Sequence, residues 1–457
     1  MANIKKIIQI GKLQLGEYLP VCLQSMCNTE TGNISATVAQ VVRIIEAGAD
    51  LVRITVPSMA EVEALKKIKE EVRALGFTQP LIADVHFNPE VAIACAAIVE
   101  KVRINPGNFT DRKRFSDKTL TDKEYSVSLE KMSGRAKPLF EVCKKHDTAL
   151  RIGVNHASLC DRIVNRYGNG ALAMAMSAME WIEVGENHHF YNMVFSMKSS
   201  NVLTMMEATM LFAQKMAETG NAYPLHIGVT EAGAGLDGRV KSAVGIGGLL
   251  LQGIGNTIRV SLTEPPENEI LFAKALMSAI KQHSSTDYQL EDDGTLQYSC
   301  LEKDKNIWIA KVASVAGYYC AQKKLKNLMI THSLFSEPEN RQLEDAILQA
   351  CRIKMSKTEI ISCPTCGRTQ YDIVSVLQQV KTQFGHYPGL KIGVMGCIVN
   401  GPGEMADADY GIVGASNHKM VVYKGEKKMS ELLTQDDALV LLKKLVEKEN
   451  DKFRKFE

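Results

Sequence analysis

The chain has 457 residues, 45% hydrophobic and 23% charged, with a net charge of +2, which is the make-up of a globular protein of two or three domains. So small a net charge gives no global field pointing to nucleic acid or to a membrane surface, and any affinity for anions must come from a local cluster of cations. The opening residues show no signal-peptide pattern, and the longest apolar stretch, 243–254, is Gly-rich, broken by Gln252 and too short to span a bilayer, so a cytosolic protein is expected.

From about residue 20 to residue 262, short β-branched runs alternate with helical patterns. The runs fall at 21–25, 51–56, 81–85, 101–104, 149–154, 193–196, 225–229 and 256–261; helices are predicted at 36–47, 60–75, 171–184 and 202–216. This alternation predicts a (β/α)8 TIM barrel over residues 1–283. A doubly wound open sheet is the alternative, but it calls for a Gly-rich phosphate turn after the first strand, and residues 22–31 contain none. The polar, charged stretch 110–135 reads as a mobile excursion near the fourth strand. Residues 283–294 read as a linker, and the rest of 284–345 is a weakly periodic insert with no assignable role. A second, α+β domain is expected over 346–457, where the densest Cys and Gly motifs lie, and 447–457 reads as a solvated helix end.

In such a barrel the chemistry sits at the C-terminal ends of the strands. There the sequence places Arg53, Asp84 with His86, Arg103 with Asn105, Arg151 with Asn155, Lys198, Glu231, and Arg259 with Ser261. Five strands end in a cation, and like charges around one mouth repel unless an anion sits among them. Arg forks match phosphate oxygens and Lys adds a point charge, so a diphosphate or two phosphate groups is the expected ligand. The plainer reading pairs these cations with rim acids, yet only Asp84 and Glu231 stand at the strand ends to do it. Glu231 beside a phosphate ester can stay protonated and serve as a general acid, or can pair with a rim Arg. Asp84 and His86 either orient a hydroxyl or satisfy one another.

Eleven cysteines are present. Cys22, Cys27, Cys95, Cys143, Cys160, Cys300, Cys320 and Cys351 are scattered singly and read as packing thiols. Cys363-Pro-Thr-Cys366 followed by Gly396-Cys397 and a Gly-Pro-Gly loop ending in Glu404 is different. A Cys-x2-Cys turn fits a zinc ribbon, but neither a second such turn nor a His pair follows. Three thiolates suit three irons of a cubane, leaving Glu404 as a replaceable oxygen ligand for the fourth. A cluster, a zinc ion and no metal stay open on this evidence.

The motifs Gln24-Ser-Met-Cys-Asn28, Val52-Arg-Ile-Thr-Val56, Ala83-Asp-Val-His-Phe87, Val102-Arg-Ile-Asn-Pro-Gly-Asn108, Arg151-Ile-Gly-Val-Asn155, Ser196-Met-Lys-Ser199, Gly228-Val-Thr-Glu231, Arg259-Val-Ser261, Cys363-Pro-Thr-Cys-Gly-Arg368 and Met395-Gly-Cys-Ile-Val-Asn-Gly-Pro-Gly-Glu404 together resemble the 4-hydroxy-3-methylbut-2-enyl diphosphate synthase family of the methylerythritol phosphate pathway. They cover the chain except 110–135 and 284–345. The resemblance implies a reductase that opens 2-C-methyl-D-erythritol 2,4-cyclodiphosphate. Two electrons would come from reduced ferredoxin or flavodoxin through a [4Fe–4S] cluster. It implies Cys363, Cys366, Cys397 and Glu404 as cluster ligands, and Arg53, Arg103, Arg151, Lys198, Arg259 and Ser261 as the diphosphate grip, with Asn155 nearby. Glu231 would be the acid that helps an oxygen leave as water.

The wording Met355-Ser-Lys-Thr-Glu359 and Glu404-Met-Ala-Asp-Ala-Asp-Tyr410 resembles the plant-like branch, which carries a large middle domain, whereas this chain has only the short insert 284–345. In the shorter branch the cluster domain closes over a partner's barrel, so the short insert points to a homodimer. Competing readings are a sugar-phosphate lyase with structural zinc and a non-catalytic redox sensor of phosphorylated metabolites. Nucleic acid and membrane partners are not expected.

Overall fold

The computed structural model describes residues 4–16, 18–109, 120–332, 334–398, 401–416 and 418–448. Residues 110–119 of the expected excursion, Val399 and Asn400 of the second cysteine loop, and the tail 449–457 lie outside the described residues. The chain divides into two compact units. The first takes the described residues of Met1–Ser199, Thr204–Gly228 and Ile254–Arg259; the second takes Ser200–Leu203, Val229–Gly253 and the described residues of Val260–Glu457.

The first unit is the barrel. Its parallel strands are β1 (Cys22–Met26), β2 (Leu51–Thr55), β3 (Leu81–Asp84), β4 (Lys101–Ile104), β5 (Ala149–Asn155), β6 (Met193–Lys198), β7 (His226–Ile227) and β8 (Thr257–Ile258). They pair in that order, with β8 returning to β1. A parallel bridge between Phe195 and Leu225 joins β6 to the approach of β7, so the ring of eight strands is nearly closed. Both faces of the strands are covered, so a strand such as Leu51–Thr55 is buried at every position, Arg53 included. Helices α1 (Ile34–Glu46), α2 (Met59–Ala74), α3 (Pro89–Ala96), α4 (Asp122–Lys145), α5 (Ala171–Asn187) and α6 (Val202–Glu218) fall between the strands. Asn33, Ser58, Asn88 and Thr121 cap four of them with side-chain oxygens. The expectation of an excursion through residue 135 is corrected here: residues 122–135 are helical. Thr121 and Glu124 form a capping box, and Tyr125, Met132, Ala136, Leu139 and Phe140 make a buried stripe at helical spacing.

The second unit carries α7 (Gly235–Ser242), which runs on through a π-turn at Ala243–Gly247, and α8 (Pro266–Lys281). The expected linker is partly ordered into β9 (Tyr288–Leu290), which pairs with β10 (Thr295–Ser299); β10 in turn runs parallel to β11 (Asn327–Thr331). Between the last two lies α9 (Lys305–Ala321), and α10 (Glu337–Ala350) follows. The weak periodicity of this stretch has a physical cause: α9 buries Trp308 through Ala310 and Val312 through Gly317, so it shows no polar stripe. The C-terminal sheet contains β12 (Glu359–Ser362), β13 (Lys391–Met395), β14 (Tyr410–Gly414), β15 (Met420–Lys424) and β16 (Lys427–Lys428), paired in that order. Helices α11 (Ile373–Phe384) and α12 (Gln435–Lys448) contribute Val376, Leu377, Val380, Phe384, Leu442 and Val446 to its apolar core. Among the described residues no helix is long and apolar enough to cross a membrane.

Candidate active site

Sheet register alone aligns part of the barrel site. Asp84 is the strand partner of Arg103, and Arg103 is the partner of Arg151. In a parallel sheet, partnered residues project to the same face, so the register collects these side chains in one row. All three are buried, as are Arg53, Arg259, His86, Asn105 and Asn155, while Lys198 is half-buried.

Arg103 is the best-held cation. Its Nη1 donates to Asp84 Oδ1 at 3.1 Å and meets His86 Nε2, and its Nη2 donates to the Gly153 carbonyl at 3.0 Å. Arg53 and Arg259 turn toward the Met26 thioether, at 3.0 and 3.5 Å, a weak acceptor that any phosphate oxygen would outbid. Arg151 Nε and Nη1 and Lys101 Nζ are buried with no hydrogen-bond partner among the described residues.

The electrostatics follow from this crowding. Burial, then Arg53 and Arg103, hold the Arg151 guanidinium well below its usual value. Burial, then Arg151, Arg53, Arg259 and Arg103, push the Lys198 amine down in the same way. Asp84 responds in the opposite sense: burial would raise it, but Arg53, Arg103 and His86 outweigh burial and keep it well below the carboxylate range. One carboxylate meeting this many buried cations leaves a strong positive excess, and such excess stabilises a multiply charged anion.

Two buried groups of this site were missed from sequence. Lys101 opens β4 and His226 opens β7, and both are depressed by burial and by Arg151 and Arg53. The readable signal was a cation at the start of an otherwise apolar strand, two residues before Arg103, which puts both side chains on the same face. Asn155 shares a face of β5 with Arg151 and is the strand partner of Lys198, and its Oδ1 caps the following turn by accepting from Ala157 N–H at 3.0 Å.

Glu231 and Ser261 belong to the second unit and lie beyond β7 and β8, whose paired residues end at Ile227 and Ile258. Glu231 is buried and has φ of +50°, a left-handed conformation that non-Gly residues adopt at a cost, often at functional sites. The next residue, Ala232, makes a parallel bridge with Ser362 at the end of β12. Thr263 Oγ1 lies 2.8 Å from Ser362 Oγ and 3.2 Å from the Cys363 carbonyl. These contacts bring Glu231 near enough for its charge to act on the Cys363 thiol, and they do so within one chain.

Cys363, Cys366 and Cys397 are gathered, each half-buried. Burial and then the charge of Cys397 push the Cys363 thiol well up, Cys366 and Glu231 add to this, and the Gly396 N–H opposes it by donating to Cys363 Sγ at 3.1 Å. Cys366 N–H is held by Thr369 Oγ1 at 3.1 Å. A Cβ at 396 would press on the Thr369 side chain at 3.0 Å and displace it by a few tenths of an ångström. Glu404 is buried and closes the short helix Gly401–Glu404 beyond the Cys397 loop. Among the described residues no three of His, Cys, Asp and Glu form a cage for a single ion. Thiols that raise one another's cost of ionising are relieved by positive charge between them, and three soft thiolate donors are the kind of donor set an iron–sulfur cluster takes.

Comparison with known proteins agrees with both halves. Residues 5–274 match the GcpE TIM-barrel domain and residues 359–448 match the GcpE protein C-terminal domain. The chain is 35% identical to 4-hydroxy-3-methylbut-2-en-1-yl diphosphate synthase (flavodoxin) of Parabacteroides distasonis, over 97% of this chain and 98% of that one. It is 35% identical to the protein of the same name from Porphyromonas gingivalis, over 97% of each, and 34% identical to that of Chlamydia felis, over 94% of each. The Parabacteroides alignment runs over 596 positions although this chain has 457 residues, so that relative carries a long segment without counterpart here. Dihydropteroate synthase from Xanthomonas albilineans aligns with 61% of this chain and 99% of its own at 17% identity and a TM-score of 0.38, a likeness too slight to bear on the site. On the two domain matches and the full-length relatives, the chain belongs to the GcpE family of 4-hydroxy-3-methylbut-2-en-1-yl diphosphate synthases.

Proposed function

We propose that the chain reduces and opens 2-C-methyl-D-erythritol 2,4-cyclodiphosphate to 4-hydroxy-3-methylbut-2-enyl diphosphate in the cytosol. The observation that carries this reading is the set of cations in the barrel, Arg53, Arg103, Arg151 and Arg259 buried and Lys198 half-buried, with Asp84 as the acid among them. Those cations, together with Ser261, grip the two phosphate groups, and Asp84 and His86 orient a substrate hydroxyl. Glu231 holds the proton that lets an oxygen leave as water.

Cys363, Cys366, Cys397 and Glu404 would hold a [4Fe–4S] cluster, which when bound supplies two electrons one at a time. Flavodoxin, the donor in the relatives' name, or ferredoxin delivers them. In this reading residues 1–283 take the substrate, 284–345 form a shortened spacer and 346–457 carry the cluster. The short spacer also favours a homodimer, and sedimentation of the active species as a monomer would remove that part.

The test is anaerobic turnover of the cluster-loaded protein with the cyclodiphosphate and reduced flavodoxin. Formation of the open diphosphate is expected. A cluster-loaded protein that binds the cyclodiphosphate yet leaves it unreduced, even with a strong chemical reductant, would favour the sensor reading instead.

A further inference from the structure

Two of the cysteines scattered through the sequence are neighbours in space. Cys320 lies in the last turn of α9 and Cys351 caps the end of α10. Cys320 Sγ donates to the Cys351 carbonyl oxygen at 3.8 Å, and the two thiols lie close enough to shift one another's ionisation. Both are free thiols, Cys320 half-buried and Cys351 buried. With the Cys320 sulfur in contact with the Cys351 main chain, side-chain rotation can bring the two sulfurs to the bonding distance of about 2 Å.

The pair is also asymmetric. Cys320 is half-buried and within reach of a small oxidant, whereas Cys351 is buried and its thiol is pushed up by Cys320 and by burial. The more accessible sulfur is therefore the better nucleophile, and the buried one stands behind it. Each helix ends just past its cysteine in a left-handed residue, Lys323 at φ of +57° and Arg352 at φ of +55°, so both sulfurs sit on chain reversals rather than in the middle of rigid helix.

We propose that Cys320 and Cys351 form a reversible intramolecular disulfide when the protein meets a hydroperoxide. The Cys320 thiolate attacks the distal peroxide oxygen, the O–O bond breaks, and water or an alcohol leaves after taking a proton. The resulting sulfenic acid is attacked by Cys351, the S–S bond forms, and hydroxide leaves with the Cys351 proton as water. Two thiols lose two electrons and one peroxide gains them. A dithiol reductant reverses the change by exchange. The new bond ties α9 to the chain leading into β12, where Arg352 lies 3.3 Å and Lys241 3.1 Å from Glu359, four residues before Cys363. The proposal does not depend on the reductase reading.

The test is peptide mapping, without reduction, of the cluster-loaded protein after graded hydrogen peroxide and alkylation of the remaining thiols. A linked peptide pair joining Cys320 to Cys351 should appear, vanish after dithiothreitol, and be absent from Cys320→Ser and from Cys351→Ser. The wild-type map decides the matter even if a variant folds poorly. Sulfinic acid on Cys320 with Cys351 still alkylated, a bridge from either to another cysteine, or two unmodified thiols at tenfold excess peroxide would overturn it.

Discussion

A Cβ placed on Gly153 would stand 2.4 Å from Arg103 Nε. The glycine of Arg151-Ile-Gly-Val-Asn155 is thus the space that the Arg103 guanidinium occupies while it bonds the Gly153 carbonyl and Asp84.

Gly153→Ala should therefore push Arg103 from its seat without touching the cysteines. Loss of one charge-assisted contact is worth about 1.5–3 kcal/mol, or roughly tenfold to hundredfold in affinity. Binding of the cyclodiphosphate should weaken by that factor while iron content per chain stays at the wild-type level. Unchanged affinity would remove Arg103 from the grip.

Glu231→Gln should keep the substrate bound and slow its reduction. General acid catalysis contributes on the order of 10²–10⁴ in rate, and the amide keeps the shape without the proton. Single-turnover reduction followed anaerobically checks it, and a rate within a few-fold of wild type would reassign the acid.

Glu404→Ala should fold but hold its fourth iron loosely. After anaerobic reconstitution and desalting, iron should fall from about four to about three per chain. Four retained irons with normal turnover would show the carboxylate to be dispensable.

His226 supplies a pH signature. Its folded-state value lies well below the ordinary 6.5, through burial and then the charges of Arg151, Lys198, Lys101 and Arg53. Below pH 6.5 the unfolded chain takes up a proton that the folded chain refuses, so stability present above that pH is lost as pH falls, by up to about 1.4 kcal/mol per pH unit. The ligand-free protein should melt progressively earlier between pH 6.5 and 5, and His226→Asn should flatten that slope. Parallel slopes for the two proteins would contradict it.

Much of the barrel was legible because both faces of each strand are buried and the charged residues stand out against apolar runs. Arg53, Arg103 and Arg151 were legible as barrel cations, although each is the third residue of its strand rather than its C-terminal end, and Lys101 to Ile104 coincides with its strand. Periodicity failed where its physical basis is missing. The buried α9 has no polar face, and α4 is preceded by so polar a stretch that its apolar stripe was hidden. His226 was illegible as a site residue because its role depends on Arg151 and Arg53, which the fold brings to it, whereas Lys101 carried a signal two residues before Arg103. The Cys320–Cys351 contact likewise joins positions that no spacing rule connects. The bridge of Ala232 to Ser362 is of the same kind, and it brings Glu231 to Cys363 in a single chain.

The central claim is that the barrel's buried cations bind a doubly phosphorylated ring, and calorimetric titration with the cyclodiphosphate tests it most directly. Arg151 is the most deeply buried of the five, at 1% exposure, and Arg151→Met keeps its bulk while removing its charge. The account predicts one site per chain in the wild type, weakened by added salt, and a loss of at least about tenfold in the variant. Equal affinity for the two proteins, or no binding to either, would contradict it.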